Sequence, residues 1–121
     1  HNESMDKTLK ELQDRIIAFR NERDWKQFHK PKDIAMSLCL EAAEVLEHFQ
    51  WKDEEEINGY VKNEKEELGR ELSDVLAYLL IMASDLNIDL PEAFEKKMQE
   101  NATKYPVQRA KGKKDKYTKY E

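Results

Sequence analysis

Two acidic pairs, Glu41-x-x-Glu44 and Glu71-x-x-Asp74, are the residues whose type and spacing could do chemistry, because each lies inside a strongly apolar helical pattern. Three positions apart on a helix, side chains stack on one face about a turn apart, so each pair offers two carboxylates to one point in space. Two such helices supply four. Carboxylates converging at the edge of an apolar core repel one another and take up protons unless a hard divalent cation offsets the charge. All-oxygen donors point to magnesium, with manganese as a substitute, and a centre of that kind handles phosphate. The competing reading is a solvated acidic face. Both pairs flank the apolar arcs, however, whereas Glu47, Glu66 and Glu67 read as ordinary solvated residues. None of His1, His29 and His48 forms the Glu-x-x-His pattern of di-iron bundles, which disfavours an iron oxygenase.

The elements that must position these pairs are helices. Leu9, Leu12, Ile16, Ile17 and Phe19 predict a first helix over about Met5 to Glu22. A polar segment with interleaved aromatics, Asp24 to Pro31, precedes a second helix over about Lys32 to Phe49, for which Pro31 is an acceptable start. Ile34, Leu38, Ala42, Val45, Leu46 and Phe49 form its apolar arc, with Glu41 and Glu44 together on one flank. The connection Trp51 to Lys65, carrying Asp53-Glu54-Glu55-Glu56 and Asn58-Gly59, reads as a loop containing a helical turn. A third helix follows over roughly Glu66 to Leu86. Its apolar face comprises Leu68, Leu72, Val75, Leu76, Leu79, Met82 and Ala83, and Glu71, Asp74 and Tyr78 share a flank. Asn87 is a stop, and Pro91 opens a fourth helix to about Lys104 with Ala93, Phe94 and Met98 directed inward. Trp25, Phe28 and Trp51, in polar connections, fit either core or dimer packing or a pocket that stacks on a base.

Composition agrees with this picture. A chain of 121 residues with 39% charged and 39% apolar residues, three Gly and three Pro favours one all-α domain built of long amphipathic helices. A net charge of -5 argues against a partner that is a nucleic-acid polymer, but leaves nucleotides open because a metal can bridge two anions. Cys39, the single cysteine, excludes a disulfide framework and reads as a small core residue. With no signal-like or bilayer-length apolar stretch, the expectation is a cytoplasmic protein without a membrane partner. Residues 1–4 read as an expression remnant ahead of Met5, residues 5–104 as the helical domain, and 105–121 as an extended basic tail.

Several stretches together carry a resemblance. They are Trp25-Lys26-Gln27-Phe28-His29-Lys30-Pro31-Lys32, Leu40-Glu41-Ala42-Ala43-Glu44-Val45-Leu46-Glu47 and Phe49-Gln50-Trp51. Glu71-Leu72-Ser73-Asp74-Val75, Lys97-Met98 with Asn101, Lys104-Tyr105-Pro106 and Lys116-Tyr117-Thr118 follow in order. The combination resembles the MazG-like nucleotide pyrophosphohydrolases, most closely the branch containing dCTP pyrophosphatase, over nearly all of Leu9 to Thr118. Glu41, Glu44, Glu71 and Asp74 match that family's metal-binding pattern, with 26 residues between Glu44 and Glu71. The first glutamate of the longer family pattern is Leu40 here, which leaves the water-activating base unassigned.

The resemblance implies a four-helix-bundle-like fold that assembles as a homodimer or homotetramer. It further implies a magnesium-dependent enzyme that cleaves a deoxynucleoside triphosphate, canonical or modified, between the α and β phosphates, releasing a monophosphate and pyrophosphate. Glu41, Glu44, Glu71 and Asp74 would be the catalytic metal ligands. Trp25, Lys26, Gln27, Phe28, His29, Trp51 and Tyr78 match substrate-contacting positions, and Lys97, Asn101 and Lys104 would meet the leaving pyrophosphate. A histidine that lies near the base in that branch corresponds to Ile16, so a cytosine preference is not implied. The alternatives are a related pyrophosphohydrolase acting on dUTP or phosphoribosyl-ATP, and a non-catalytic helical interaction module.

Overall fold

A computed structural model describes residues 7–114. Every regular element among them is helical: α1 (Leu9–Glu22), a 3-10 turn (Lys26–Phe28), α2 (Pro31–Glu47), α3 (Glu54–Asn63), α4 (Lys65–Asp85), α5 (Leu90–Lys104) and α6 (Val107–Ala110). Met5, Asp6 and the motif Lys116-Tyr117-Thr118 lie outside the described residues, as do residues 1–4 and the end of the tail.

Local chemistry accounts for where the helices begin. Thr8 and Glu11 form a reciprocal capping box on α1, the Thr8 hydroxyl accepting from the Glu11 amide at 3.2 Å. Pro31 opens α2 at a position where its missing amide hydrogen costs nothing. Asp53 and Glu56 build a second capping box, with the Asp53 carboxylate accepting from the Glu56 amide at 2.8 Å. That box nucleates α3, so the stretch read from sequence as a loop with one helical turn is instead a ten-residue helix. Gly59 of the Asn58-Gly59 pair, taken as a turn signal, sits within it. The acidic run Glu54-Glu55-Glu56 occupies the first turn, where it complements the helix dipole. Asp24, Trp51 and Asn87 adopt positive φ of 54°, 69° and 54°, in the connections beyond α1, before α3 and beyond α4.

The chain divides into two compact units, the first ending at Asn87 and the second beginning at Ile88. In the first, α4 is the central element and packs against α2, α1 and α3. Ile34 from α2 and Leu68, Leu80, Ile81 and Ala83 from α4 are the buried apolar residues. The Gln13 amide on α1 donates to the Leu80 carbonyl at 3.1 Å, and a bidentate pair links Arg20 of α1 to Asp85 at the end of α4, both contacts at 2.8 Å. Arg20 is buried, so this link needs its exact partner.

The apolar arcs are wider than one neighbouring helix covers. Leu46 on α2 and Leu72 and Leu79 on α4, expected to face the core, are exposed, as are Met36, Leu40 and Cys39. The second unit contains α5, capped by Asp89 through the Glu92 amide at 3.1 Å, and the short α6, which replaces part of the expected extended tail. Phe94 and Met98 of α5, expected inward, are exposed.

Candidate active site

The carboxylates converge where α2 passes α4. Glu41 and Glu44 come from one helix, Glu71 from the other, and each offers an oxygen within 4.8 Å of the others. Asp74, one turn along α4 from Glu71, is exposed and lies outside that trio, yet its charge still acts on Glu41. Glu41 carries the strain. One of its oxygens, Oε2, is buried without a hydrogen-bond partner. Burial is the largest cause pushing its pKa up from 4.5 to about 7, followed by a hydrogen-bonding contact with Glu44 and then by the charges of Glu44, Asp74 and Glu71. A buried carboxylate oxygen with no hydrogen-bond partner of its own, close to two more carboxylates, fits a bound positive charge. The donors are all oxygen, which fits a hard divalent cation rather than zinc or iron.

At Asp74 the cluster meets a pocket of about 230 Å³ formed by α1, Trp25 and His29 on either side of the 3-10 turn, and α4. Its wall is aromatic and aliphatic, with Ile16, Phe19, Trp25, Tyr78 and Ile81, and its polar groups are Arg20, His29 and Asp74. Asp74 therefore belongs to the pocket as well as to the electrostatics of the cluster. Trp25 is braced edge-on by Phe19, with ring centroids 5.9 Å apart, and keeps a partly exposed face. Arg20 Nη1 lies 3.5 Å from His29 Nδ1. Burial and the Arg20 guanidinium lower the pKa of His29, so the imidazole is neutral at pH 7.

Of the remaining sequence candidates, Lys26, Gln27, Phe28 and Trp51 line neither the carboxylate cluster nor this pocket. Lys26, Gln27 and Phe28 are exposed on the 3-10 turn, and the Gln27 amide is used locally, donating to the Asp24 carbonyl at 3.0 Å. Trp51 is 91% exposed and lines neither cavity, which removes the core-packing reading for it. Lys97, Asn101 and Lys104 belong to α5 of the second unit, where Lys97 and Lys104 both pair with Glu100, at 3.4 and 2.8 Å.

Four residues that the sequence reading did not single out complete the surroundings. Arg20 and Asp85 stand behind His29, 65 positions apart in the chain. Arg20 continues the line Leu12-Ile16 at four-residue spacing, and a charge in an apolar line was the available signal. His48, at the end of α2, places Nε2 3.5 Å from Glu71 Oε1 and its Nδ1 in a hydrogen bond with the Tyr60 hydroxyl. With Glu44, Glu47 and Glu71 these two line an open cleft of about 410 Å³. His48 follows Glu44 by four positions, a visible spacing, but Tyr60 lay in the presumed loop.

A model of the MazG-like family matches residues 36–119. The chain is 39% identical over 117 residues to dCTP pyrophosphatase 1 of Bos taurus and of Homo sapiens, covering 95% of this chain and 69% of each relative. Its fold is similar to the crystal structure of a pyrophosphatase from Archaeoglobus fulgidus, with a TM-score of 0.76 and 38% identity, covering 88% of this chain and 95% of that one. The chain belongs to the MazG-like family. It is an enzyme of the pyrophosphohydrolase type, and the reading as a non-catalytic helical module is set aside.

Proposed function

We propose that this nucleoside triphosphate pyrophosphohydrolase converts a deoxynucleoside triphosphate to the monophosphate and pyrophosphate in a magnesium-dependent reaction that clears nucleotides from the pool. The observation that carries the reading is adjacency. A carboxylate cluster suited to a hard cation borders a pocket of aromatic and apolar side chains, and Asp74 participates in both. Phosphates and a base need those two environments next to one another. Glu41, Glu44, Glu71 and Asp74 would hold the cation, and manganese would substitute for magnesium. When bound, the cation supplies charge neutralisation for phosphate oxygens and a more acidic water.

The chain's own side chains do the rest. Glu41, whose pKa burial and the neighbouring carboxylates raise to about 7 without a cation, would ionise fully once a divalent ion offsets that repulsion, so metal binding releases a proton near neutral pH. Trp25 and Tyr78 offer ring surface to a base, and neutral His29 offers a hydrogen bond inside the pocket. Ile16 presents only hydrocarbon there, so cytosine is not selected through that position, and dUTP or phosphoribosyl-ATP remain alternative substrates. The exposed apolar residues Met36 and Leu40 on α2 and Leu72 and Leu79 on α4 are the surface through which a second copy would pack, giving a dimer or tetramer. The reading places the protein in the cytoplasm, with the nucleotide pool it would act on. No helix among the described residues is long and apolar enough to cross a membrane.

The deciding experiment incubates the protein with a panel of canonical and modified deoxynucleotides, dUTP and phosphoribosyl-ATP, with magnesium or with EDTA, and measures pyrophosphate release. Release from deoxynucleotides that EDTA abolishes supports the reading. Metal-independent turnover, or pyrophosphate from phosphoribosyl-ATP alone, overturns it.

A further inference from the structure

His48 bridges two helices at the edge of the carboxylate cluster. Its side chain is 11% exposed and the Glu71 side chain 18% exposed, so neither contact is a loose surface encounter. On one side Nδ1 meets the Tyr60 hydroxyl, with the two ring centroids 5.6 Å apart; on the other Nε2 faces Glu71 Oε1 at 3.5 Å. These partners decide the tautomer. A phenol is protonated at neutral pH, and burial together with Glu64, Glu67 and Glu71 raises the Tyr60 pKa further. If Tyr60 donates to Nδ1, the imidazole hydrogen sits on Nε2 and points at a carboxylate oxygen. The opposite tautomer would turn the Nε2 lone pair toward that carboxylate. Of the two neutral tautomers, only the first suits both partners, and an imidazolium would likewise present an N–H to Glu71.

We propose that Tyr60 and His48 form a positioning relay that orients the Glu71 carboxylate toward Glu41 and Glu44, and so sets the affinity of the centre for a divalent cation. The inference rests on the reading of that cluster as a cation site. A carboxylate with a polar ring nitrogen 3.5 Å away has its orientation biased before it ligates, and outer contacts of this kind are commonly worth 10- to 100-fold in metal affinity. The relay also gives α3 a function, because it brings Tyr60 to a site whose ligands all lie on α2 and α4. His48 itself is a positioning residue and need not touch substrate.

The test is Mn2+ binding to the whole chain without nucleotide, followed by electron paramagnetic resonance of the free ion. His48→Leu should weaken binding by about tenfold or more. His48→Gln, whose amide can still donate toward Glu71, should recover most of that loss. Tyr60→Phe keeps the ring but removes the donor to Nδ1 and should weaken binding by a few-fold, with the melting temperature of the metal-free protein little changed. Equal Mn2+ affinity in wild type, His48→Leu and Tyr60→Phe overturns the relay while leaving the cation site intact. Tighter binding by His48→Leu also overturns it, since His48 would then be competing with the ion as a positive charge. If wild type binds no Mn2+ at millimolar concentration, the cation site itself fails, and the relay with it.

Discussion

Glu41 makes the metal-free protein sensitive to pH in a direction opposite to most carboxylates. Its folded pKa is about 7 against an ordinary 4.5, so between those values the native state binds more protons than the unfolded chain. Stability therefore falls as pH rises. The extra stability is fully present below the unfolded value and is lost as pH climbs through the folded one. Converted without screening at 1.36 kcal/mol per unit, the shift would be worth about 3 kcal/mol. Water entering the adjoining cleft screens it, and about 1–2 kcal/mol is the expected loss. For a chain of this size that is about 4–8 °C in melting temperature. The assay is a series of thermal melts in EDTA from about pH 5 to pH 8, repeated with magnesium and with Glu41→Gln. Wild type should lose melting temperature across the series in EDTA. Magnesium should restore it most at the high end, since a ligand at 100 times its Kd adds about 2.7 kcal/mol. Glu41→Gln should flatten the EDTA profile and respond weakly to magnesium. A wild-type profile that is flat in EDTA, or a variant profile with the same slope, would refute the assignment of a cluster of mutually repelling carboxylates in which Glu41 holds a proton.

Glu41→Gln and Asp74→Asn should each lower pyrophosphate release by about two orders of magnitude or more while the chain still folds; wild-type turnover in both would remove them from the reaction. Asp85→Ala strands the buried Arg20 charge and should cost about 3–5 kcal/mol in urea unfolding. The Arg20 guanidinium, through its hydrogen bonds, holds Asp85 below its ordinary pKa, so that contribution is present above the unfolded value of 3.8 and disappears as pH falls through the folded one. Trp51→Ala should leave unfolding within about 1 kcal/mol of wild type, given the exposure of the side chain, yet lower kcat/KM by a factor equivalent to about 1–3 kcal/mol if the indole stacks on a base. Gly59→Ala and Gly69→Ala meet no atom within 4 Å and lie inside helices, so each should stabilise by about 0.5–1 kcal/mol; a loss would point to an unseen neighbour.

Periodicity and short-range spacing determined what was legible in the sequence alone. The apolar repeats outlined α1, α2, α4 and α5 to within a few residues at the ends, because amphipathic helices are written locally. Glu41 with Glu44 and Glu71 with Asp74 were likewise visible, since three-residue spacing places two carboxylates on one face whatever the fold. Trp25 and His29 lay in a segment that carries the resemblance and Tyr78 on the flank of the helix bearing Glu71 and Asp74, and the tertiary structure joins them in one pocket. α3 was obscured because Asn58-Gly59 carries a turn signal that the Asp53–Glu56 capping box overrides. The arrangement of α2 against α4 decided the rest. It made Glu41, rather than any of its three neighbours, the carboxylate with a buried, unpartnered oxygen, and it left Leu72 and Leu79 outside the core they were expected to fill. Arg20 with Asp85, and His48 with Tyr60 and Glu71, are contacts between helices whose relative rotation no single helix specifies. Burial and the meeting of distant side chains depend on which faces are turned together, and that is set only when the helices pack.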